Sequence, residues 1–314
     1  MVIKKILLLM CHWVGDTFWD MQVIPEVKKL YPDAELWVGI KPISKDLLYD
    51  LIDEEKIIIL KNVISDRHRE TFSFPGCLNE LKKVRAETFD MAFDLTLNRY
   101  SAIFLALAGI KQRIGLDIHK FSFLYSKKGP AFDGNKHLSE RPWETLKTIN
   151  PKIQKPQWPF PPKTPVSQNE IENKMMIKLN EKTALLSPGA GWTEKQWPLE
   201  SFAACGNFLI DNGYKIIISG TEKERRLCED LNTMLNKKGT IFIETLSCFI
   251  AFIPYIKVAI TNDSGPAHLL AASGIKTAAI FLSTDNNRCG PIGKNVIIVN
   301  KNEALPEKAI KFLL

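Results

Sequence analysis

At 314 residues, with 45% hydrophobic and 25% charged side chains, the chain is too long for a single core and too apolar to be disordered or fibrous, so two globular domains are expected. Its net charge of +7 is spread almost evenly, with 24 Lys+Arg against 20 Asp+Glu in residues 1–160, and there is no charged tail; a nucleic-acid partner is not expected. Six scattered cysteines (Cys11, Cys77, Cys205, Cys228, Cys248, Cys289) have neither CxxC nor CxxH spacing, which speaks against a zinc site or a disulfide frame.

Lys4 and Lys5 precede the apolar run 6–10. That run is too short to span a membrane and has no small-residue cleavage site, so it reads as a buried first strand of a chain expected to stay in the cytoplasm. Short apolar, β-branched runs then alternate with helical periodicity, the pattern of a parallel sheet with crossover helices. Strands are predicted at 4–10, 35–40, 56–60, 91–95 and 112–114, with helical segments such as 20–30 and 99–108 between them. Residues 111–155 hold ten basic and four acidic side chains, a local excess that suits either a solvated face or an anionic partner.

Residues 150–166 contain six of the 18 prolines, and a segment so poor in backbone donors cannot join either sheet. The domain boundary is therefore placed there, giving 1–160 and 161–314. In the second half strands are predicted at 183–187, 215–219, 240–243, 257–261 and 277–282. Two doubly wound α/β domains facing one another would put the carboxyl ends of both strand sets at a central cleft, where such sheets bind ligands.

Three strand-to-helix turns in the second half carry the chemistry. Thr261 to Gly274 offers Asp263 or Ser264 as a helix N-cap, Pro266 in the first turn and Gly274 past the end. The amide groups of such a terminus attract an anion, Gly265 permits close approach, and His268 stands in the same turn; a well-capped core helix is the competing reading. In the second turn Gly189, Ala190 and Gly191 let the backbone approach a ligand, and Lys195 supplies a positive charge for a departing diphosphate. Trp192 or Trp197 could equally be packing anchors there. In the third, Thr221 and Glu224 form a capping-box pattern, so Glu224 caps its own helix or accepts from ribose hydroxyls. No Gly-x-Gly-x-x-Gly, Walker or Asp-x-Asp sequence is present, which disfavours a nicotinamide enzyme, a P-loop NTPase and a metal-bridged sugar nucleotide. No cofactor or metal is expected.

Asp263-Ser264-Gly265-Pro266-Ala267-His268-Leu269-Leu270-Ala271-Ala272, preceded by Pro188-Gly189-Ala190 and Lys195-Gln196-Trp197-Pro198, resembles the signature of the ADP-heptose:lipopolysaccharide heptosyltransferases, glycosyltransferase family 9. Gly15-Asp16, Tyr31-Pro32-Asp33-Ala34, Phe89-Asp90 to Asp94-Leu95, Arg113-Ile114-Gly115 and His137 to Arg141 continue the likeness through the first half. The resemblance implies a GT-B fold and inverting, metal-independent transfer from a nucleotide sugar to an anionic, lipid-linked glycan at the inner face of the cytoplasmic membrane. It also implies an N-terminal acceptor domain and a C-terminal donor domain. By position, Asp16 is similar to the family's general base, Lys195 to its diphosphate-binding lysine and Glu224 to its ribose contact. Asp263, Ser264, Gly265 and His268 match the phosphate-binding turn, and Leu246 falls near the adenine pocket. Asp16 has a bland alternative as the cap of the helix after the first strand. Where the family has a small, often Arg- and Ser-containing stretch before Gly-Asp, this chain has Met10-Cys11-His12-Trp13-Val14, and Trp19 follows. A UDP- or GDP-sugar transferase and a non-catalytic nucleotide- or glycan-binding protein are the rival readings.

Overall fold

The structure is a computed structural model that describes residues 2–62, 74–175 and 182–313. The chain forms two compact units, Met1–Gln157 and Trp158–Leu314. In the first, β1 (Lys5–Met10), β2 (Glu35–Ile40), β3 (Ile57–Ile59), β4 (Met91–Asp94), β5 (Gln112–Leu116) and β6 (Lys127–Gly129) form one all-parallel sheet in the order β3-β2-β1-β4-β5-β6. Helices α1 (Val14–Met21), α2 (Ile24–Leu30), α3 (Phe74–Ala86), α4 (Arg99–Leu107) and α5 (Arg141–Lys147) connect or follow these strands. The second unit opens with α6 (Gln168–Met175). It repeats the strand order as β12-β11-β10-β7-β8-β9, with β7 (Thr183–Ser187), β8 (Lys215–Ser219), β9 (Gly239–Phe242), β10 (Ile256–Asn262), β11 (Lys276–Phe281) and β12 (Val296–Asn300). Its remaining helices are α7 (Leu199–Asp211), α8 (Arg225–Met234), α9 (Leu246–Phe252), α10 (Gly265–Ala272), α11 (Asn286–Cys289) and α12 (Pro306–Leu313).

Both sheets thus have the Rossmann strand order, which reverses between β1 and β4 in one unit and between β7 and β10 in the other. Loops leaving strands at such a reversal splay to opposite faces of the sheet and open a crevice at its carboxyl edge. The strands flanking the reversal are covered on both faces and are apolar without alternation: Ile6 to Met10 and Ala184 to Leu186 are fully buried. In register, Leu8 sits between Val38 and Phe93, and Leu186 between Ile260 and Ile218.

Three expectations need correction. The single helix predicted over 20–30 is two, and it begins earlier, at Val14. Pro25 at the second position of α2 has no N–H, and its ring excludes the carbonyl of Met21, so the first helix stops there. β6 lies outside the expected set because Lys127-Lys128-Gly129 has no apolar pattern; it is an edge strand, with only Gly129 buried. β12, also outside the expected set, is an edge of the second sheet, β-branched in sequence but only partly covered.

Candidate functional site

In the second unit three turns meet at the carboxyl edge of the sheet. Asn262, fully buried at the end of β10, staples the loop that follows β7: its amide nitrogen donates to the Pro188 carbonyl at 2.7 Å, and its carbonyl oxygen accepts from the Trp197 amide at 3.0 Å. Both ends of the Pro188–Trp197 loop, which contains Gly189 to Gly191, are thereby fixed to the neighbouring strand. Beside this staple the Lys195 ammonium lies 2.6 Å from Asp263 Oδ2, with only 13% and 6% of the two side chains exposed. Thr284 Oγ1 donates to the same carboxylate oxygen at 2.5 Å. The Lys195 ammonium also sits 4.4 Å from the ring centre of Trp192.

Trp197 is buried, stacks edge-on against Phe202 at 5.3 Å and donates from its indole to the Ala304 carbonyl, so it is a packing anchor. Trp192 is more than half exposed. The N-cap of α10 is Ser264, and its hydroxyl donates to the Asn262 carbonyl rather than capping the helix. Asp263 is the partner of Lys195 and not the cap. Pro266 is in the first helical turn, and Gly274 leaves the helix at φ +77°, a left-handed conformation natural to glycine. His268 is buried in the first turn of α10. The N-terminus of this eight-residue helix follows directly on Asp263, the partner of Lys195.

Glu224 takes the capping role its spacing suggests: its Oε2 accepts from both the amide and the hydroxyl of Thr221 at 2.8 Å. The carboxylate also fills the space over Gly189, where any Cβ would collide with it. A side chain at 189 would therefore displace the Glu224 carboxylate from its place beside Thr221. Ala190 and Gly191 follow, half-buried. Leu246 is the half-buried first residue of α9, capped by Thr245, whose hydroxyl accepts from the Cys248 amide at 3.3 Å.

The first unit has its own cluster at the β1/β4 reversal. Thr96 ties the strand ends together, accepting from the Cys11 amide at 2.9 Å and donating to the Leu9 carbonyl at 3.1 Å. Asp16 is exposed in the first turn of α1. Trp13 occupies the N-cap position, so Asp16 is not the helix cap. One turn later Asp20 is buried, its Oδ2 without a hydrogen bond and 3.6 Å from His12 Nε2, which lies 3.3 Å from the Leu95 carbonyl. Burial foremost, with the Asp16 charge, pushes the Asp20 carboxyl well above the usual range, while burial lowers His12. Asp94, at the end of β4, is fully buried and pushed up to about 6, even though Ser101, Tyr125 and the Leu97 amide bond it.

Because the folded Asp20 holds its proton more tightly than an unfolded Asp, its contribution to stability is full in acid. It is lost as pH rises from about 4 through the folded value. Asp20→Asn removes that loss. The expected result is a melting temperature higher than wild type at pH 8, by about 1 kcal/mol or ~2–4 °C for a unit of this size, with no gain at pH 4. Thermal denaturation of both proteins across this range checks it, and equal curves would refute the assignment.

Asp20, Asn262 and Thr284 were not singled out from the sequence as site residues, and His12 was read only as part of the stretch before Gly15-Asp16 expected to line the acceptor side. Only the i, i+4 spacing of Asp16 and Asp20 on one helix offered a signal. Among the described residues no group of three His, Cys, Asp or Glu side chains is arranged to hold a metal ion.

Two Rossmann-like domains in one chain, the second carrying an amide-and-lysine corner at its strand reversal, define the GT-B architecture of glycosyltransferases. The family model for glycosyltransferase family 9 (heptosyltransferase) matches residues 78–311, and the chain belongs to that family. It is 26% identical over 296 residues to lipooligosaccharide heptosyltransferase 2 of Campylobacter jejuni, covering 91% of this chain and 83% of that one. Among solved structures, the E. coli ADP-heptose LPS heptosyltransferase II superposes with a TM-score of 0.81 at 20% identity, covering 98% and 97% of the two chains. E. coli heptosyltransferase WaaC with ADP superposes at 0.77 and 17% identity, covering 98% of each.

Proposed function

We propose that this glycosyltransferase moves a heptose from an ADP-activated donor onto a hydroxyl of an anionic, lipid-linked glycan of the lipopolysaccharide core type, at the cytoplasmic face of the membrane. The observation that carries the donor half is the Lys195–Asp263 pair, which ties the β7 turn to the amide terminus of α10. A diphosphate seated there meets amide donors and shares the Lys195 ammonium with Asp263, and His268 belongs to the same turn. Glu224, once its capping duty is met through Oε2, retains Oε1 for a ribose hydroxyl. Leu246 and α9 supply an apolar side for the base. That its relatives are heptosyltransferases of lipooligosaccharide and lipopolysaccharide, and that one structural neighbour carries ADP, supports this choice of donor and acceptor.

In the reaction the acceptor oxygen bonds to the anomeric carbon on the face opposite the diphosphate, and the bond from that carbon to the phosphate oxygen breaks. Asp16 takes the hydroxyl proton, and the electron pair leaves on the diphosphate. Charge grows on the leaving oxygens as the bond lengthens, so Lys195 and the α10 amides bind the transition state more tightly than the ground state.

The nucleotide is tested by thermal shift with ADP, UDP and GDP. A ligand at 100 times its Kd stabilises the native state by about 2.7 kcal/mol, so saturating ADP is expected to raise the melting temperature by several degrees, and UDP and GDP by far less at equal concentration. A larger shift with UDP or GDP would replace ADP by that nucleotide. No shift with any of them would remove the donor assignment.

A further inference from the structure

Among the described residues of the first unit, one apolar face is left exposed. Tyr100, Ile103 and Leu107 recur at i, i+3 and i+7 and share one side of α4; Tyr100 and Leu107 are 44% and 59% exposed. α4 packs against a 3₁₀ turn at Ser122–Leu124, which presents Phe123 at 71% exposure, with the Phe121 ring 6.2 Å from it. Ile118, in the same loop, is also exposed.

This exposure is built into the loop. Ser122 Oγ donates to the His119 carbonyl at 2.7 Å, and the Phe121 amide donates to His119 Nδ1 at 3.2 Å. Arg113 Nε donates to the Leu124 carbonyl at 2.7 Å, and the Tyr125 hydroxyl is anchored to buried Asp94 at 2.8 Å. A turn pinned from both sides thus holds a phenylalanine in water, where its ring gains nothing unless an apolar phase receives it.

The charges around the face select the receiver. Residues 99–128 carry six basic side chains (Arg99, Lys111, Arg113, Lys120, Lys127, Lys128) and one acidic, Asp117, which Lys128 neutralises at 2.8 Å. Two of the cations are attached to aromatic rings of the face, Arg99 over Tyr100 at 4.7 Å and Lys120 over Phe121 at 5.2 Å. Aromatic and aliphatic tips rimmed by lysine and arginine match a surface that offers acyl chains just beneath a layer of phosphates. Among the described residues no helix is long and apolar enough to cross a membrane, so any attachment through this unit is made from one side.

We infer that the α4 face and the 117–126 loop dock on an anionic phospholipid bilayer, with Phe123 and Leu107 entering the interface and the surrounding cations on the headgroups. This inference deepens the lipid-linked acceptor of the proposed function and is independent of the donor nucleotide, which the thermal-shift comparison tests separately.

The full chain is sedimented with vesicles of phosphatidylcholine alone and of equimolar phosphatidylcholine and phosphatidylglycerol. Binding is expected to the anionic vesicles only, weakening as salt rises. Phe123→Asp combined with Leu107→Asp should lower the partition coefficient by roughly tenfold or more, because the apolar contribution is replaced by two charges. Lys120→Glu with Lys127→Glu should lower it and flatten the salt dependence. Leu305→Asp, an equally exposed apolar position in the other unit, should bind as wild type. All variants replace exposed side chains, and unchanged melting temperatures establish that they fold. The inference is overturned if wild type does not sediment with anionic vesicles, or if the Phe123 and Leu107 changes leave partitioning intact. It is equally overturned if wild type forms dimers that Phe123→Asp dissolves while ignoring vesicles, since the face is then a contact between copies.

Discussion

Asp16→Asn is expected to lower kcat by roughly a thousandfold while leaving the fold and donor binding intact. An acceptor hydroxyl holds its proton far too tightly at neutral pH to attack unaided, and a positioned carboxylate that accepts this proton contributes about 10²–10⁴ in rate. Asparagine preserves the size of the side chain and abolishes its basicity. The structural cost is small because Asp16 is exposed and Trp13 holds the N-cap position. The favourable interaction of a carboxylate with the first turn of α1 is lost, about 0.3–1 kcal/mol, and with it the charge that helps raise Asp20. Stability and rate therefore separate: the melting temperature should fall by no more than a few degrees, and the shift produced by ADP should be unchanged. Turnover with the nucleotide sugar, measured as nucleotide release in the presence of acceptor, gives kcat. A variant within tenfold of wild type would remove Asp16 from the chemistry and return it to the surface of α1. A wild-type protein that binds nucleotide and turns nothing over would favour the non-catalytic reading.

The parts of this molecule that were legible in its sequence are those fixed by local chemistry. β2, β7 and β8 fall on their predicted residues because each is a short apolar run closed by a polar or glycine turn. Glu224 caps its helix as Thr221-x-x-Glu224 foretells, and Gly274 adopts the left-handed conformation that the end of α10 needs. Contacts set by strand order were legible only in outline. Asn262 staples residues 65 and 74 positions away, which is possible because β10 lies next to β7, a neighbourhood no local pattern encodes. The burial of Asp20 was hidden for a similar reason. Its spacing from Asp16 puts both carboxylates on one helix face, yet burial of the second depends on what packs over that face, including His12 from the preceding loop. The edge strand β6 was not legible because a half-covered strand does not demand an apolar side chain at every position, whereas the edges β3 and β9 lie close to their predicted residues.

Lys195→Ala should cost more than the loss of one ligand contact, because the side chain balances Asp263 as well as serving the diphosphate role proposed for it. Removing a single preorganised charge from a developing oxyanion costs about 10²–10³ in kcat, and a similar loss is expected here. Yet Lys195 also neutralises Asp263, whose carboxylate is 6% exposed and, among the described residues, is otherwise met by the Thr284 hydroxyl. Breaking a fully buried pair from one side costs 3–5 kcal/mol; with the lysine 13% exposed, water recovers part of this, and about 2–3 kcal/mol is expected, or ~5–10 °C in the melting temperature. The orphaned carboxylate would also repel an incoming diphosphate, so ADP binding should weaken together with turnover. The double variant Lys195→Ala/Asp263→Asn separates the two duties. Asparagine removes the uncompensated charge, so most of the lost melting temperature should return and some nucleotide affinity with it, while kcat stays low because no cation meets the leaving group. Melting curves, ADP titrations and turnover on the four members of this cycle measure all three quantities. If the double variant recovers wild-type turnover, Lys195 serves only to balance Asp263; if the single variant melts as wild type, the pair carries no stability and its closeness is incidental.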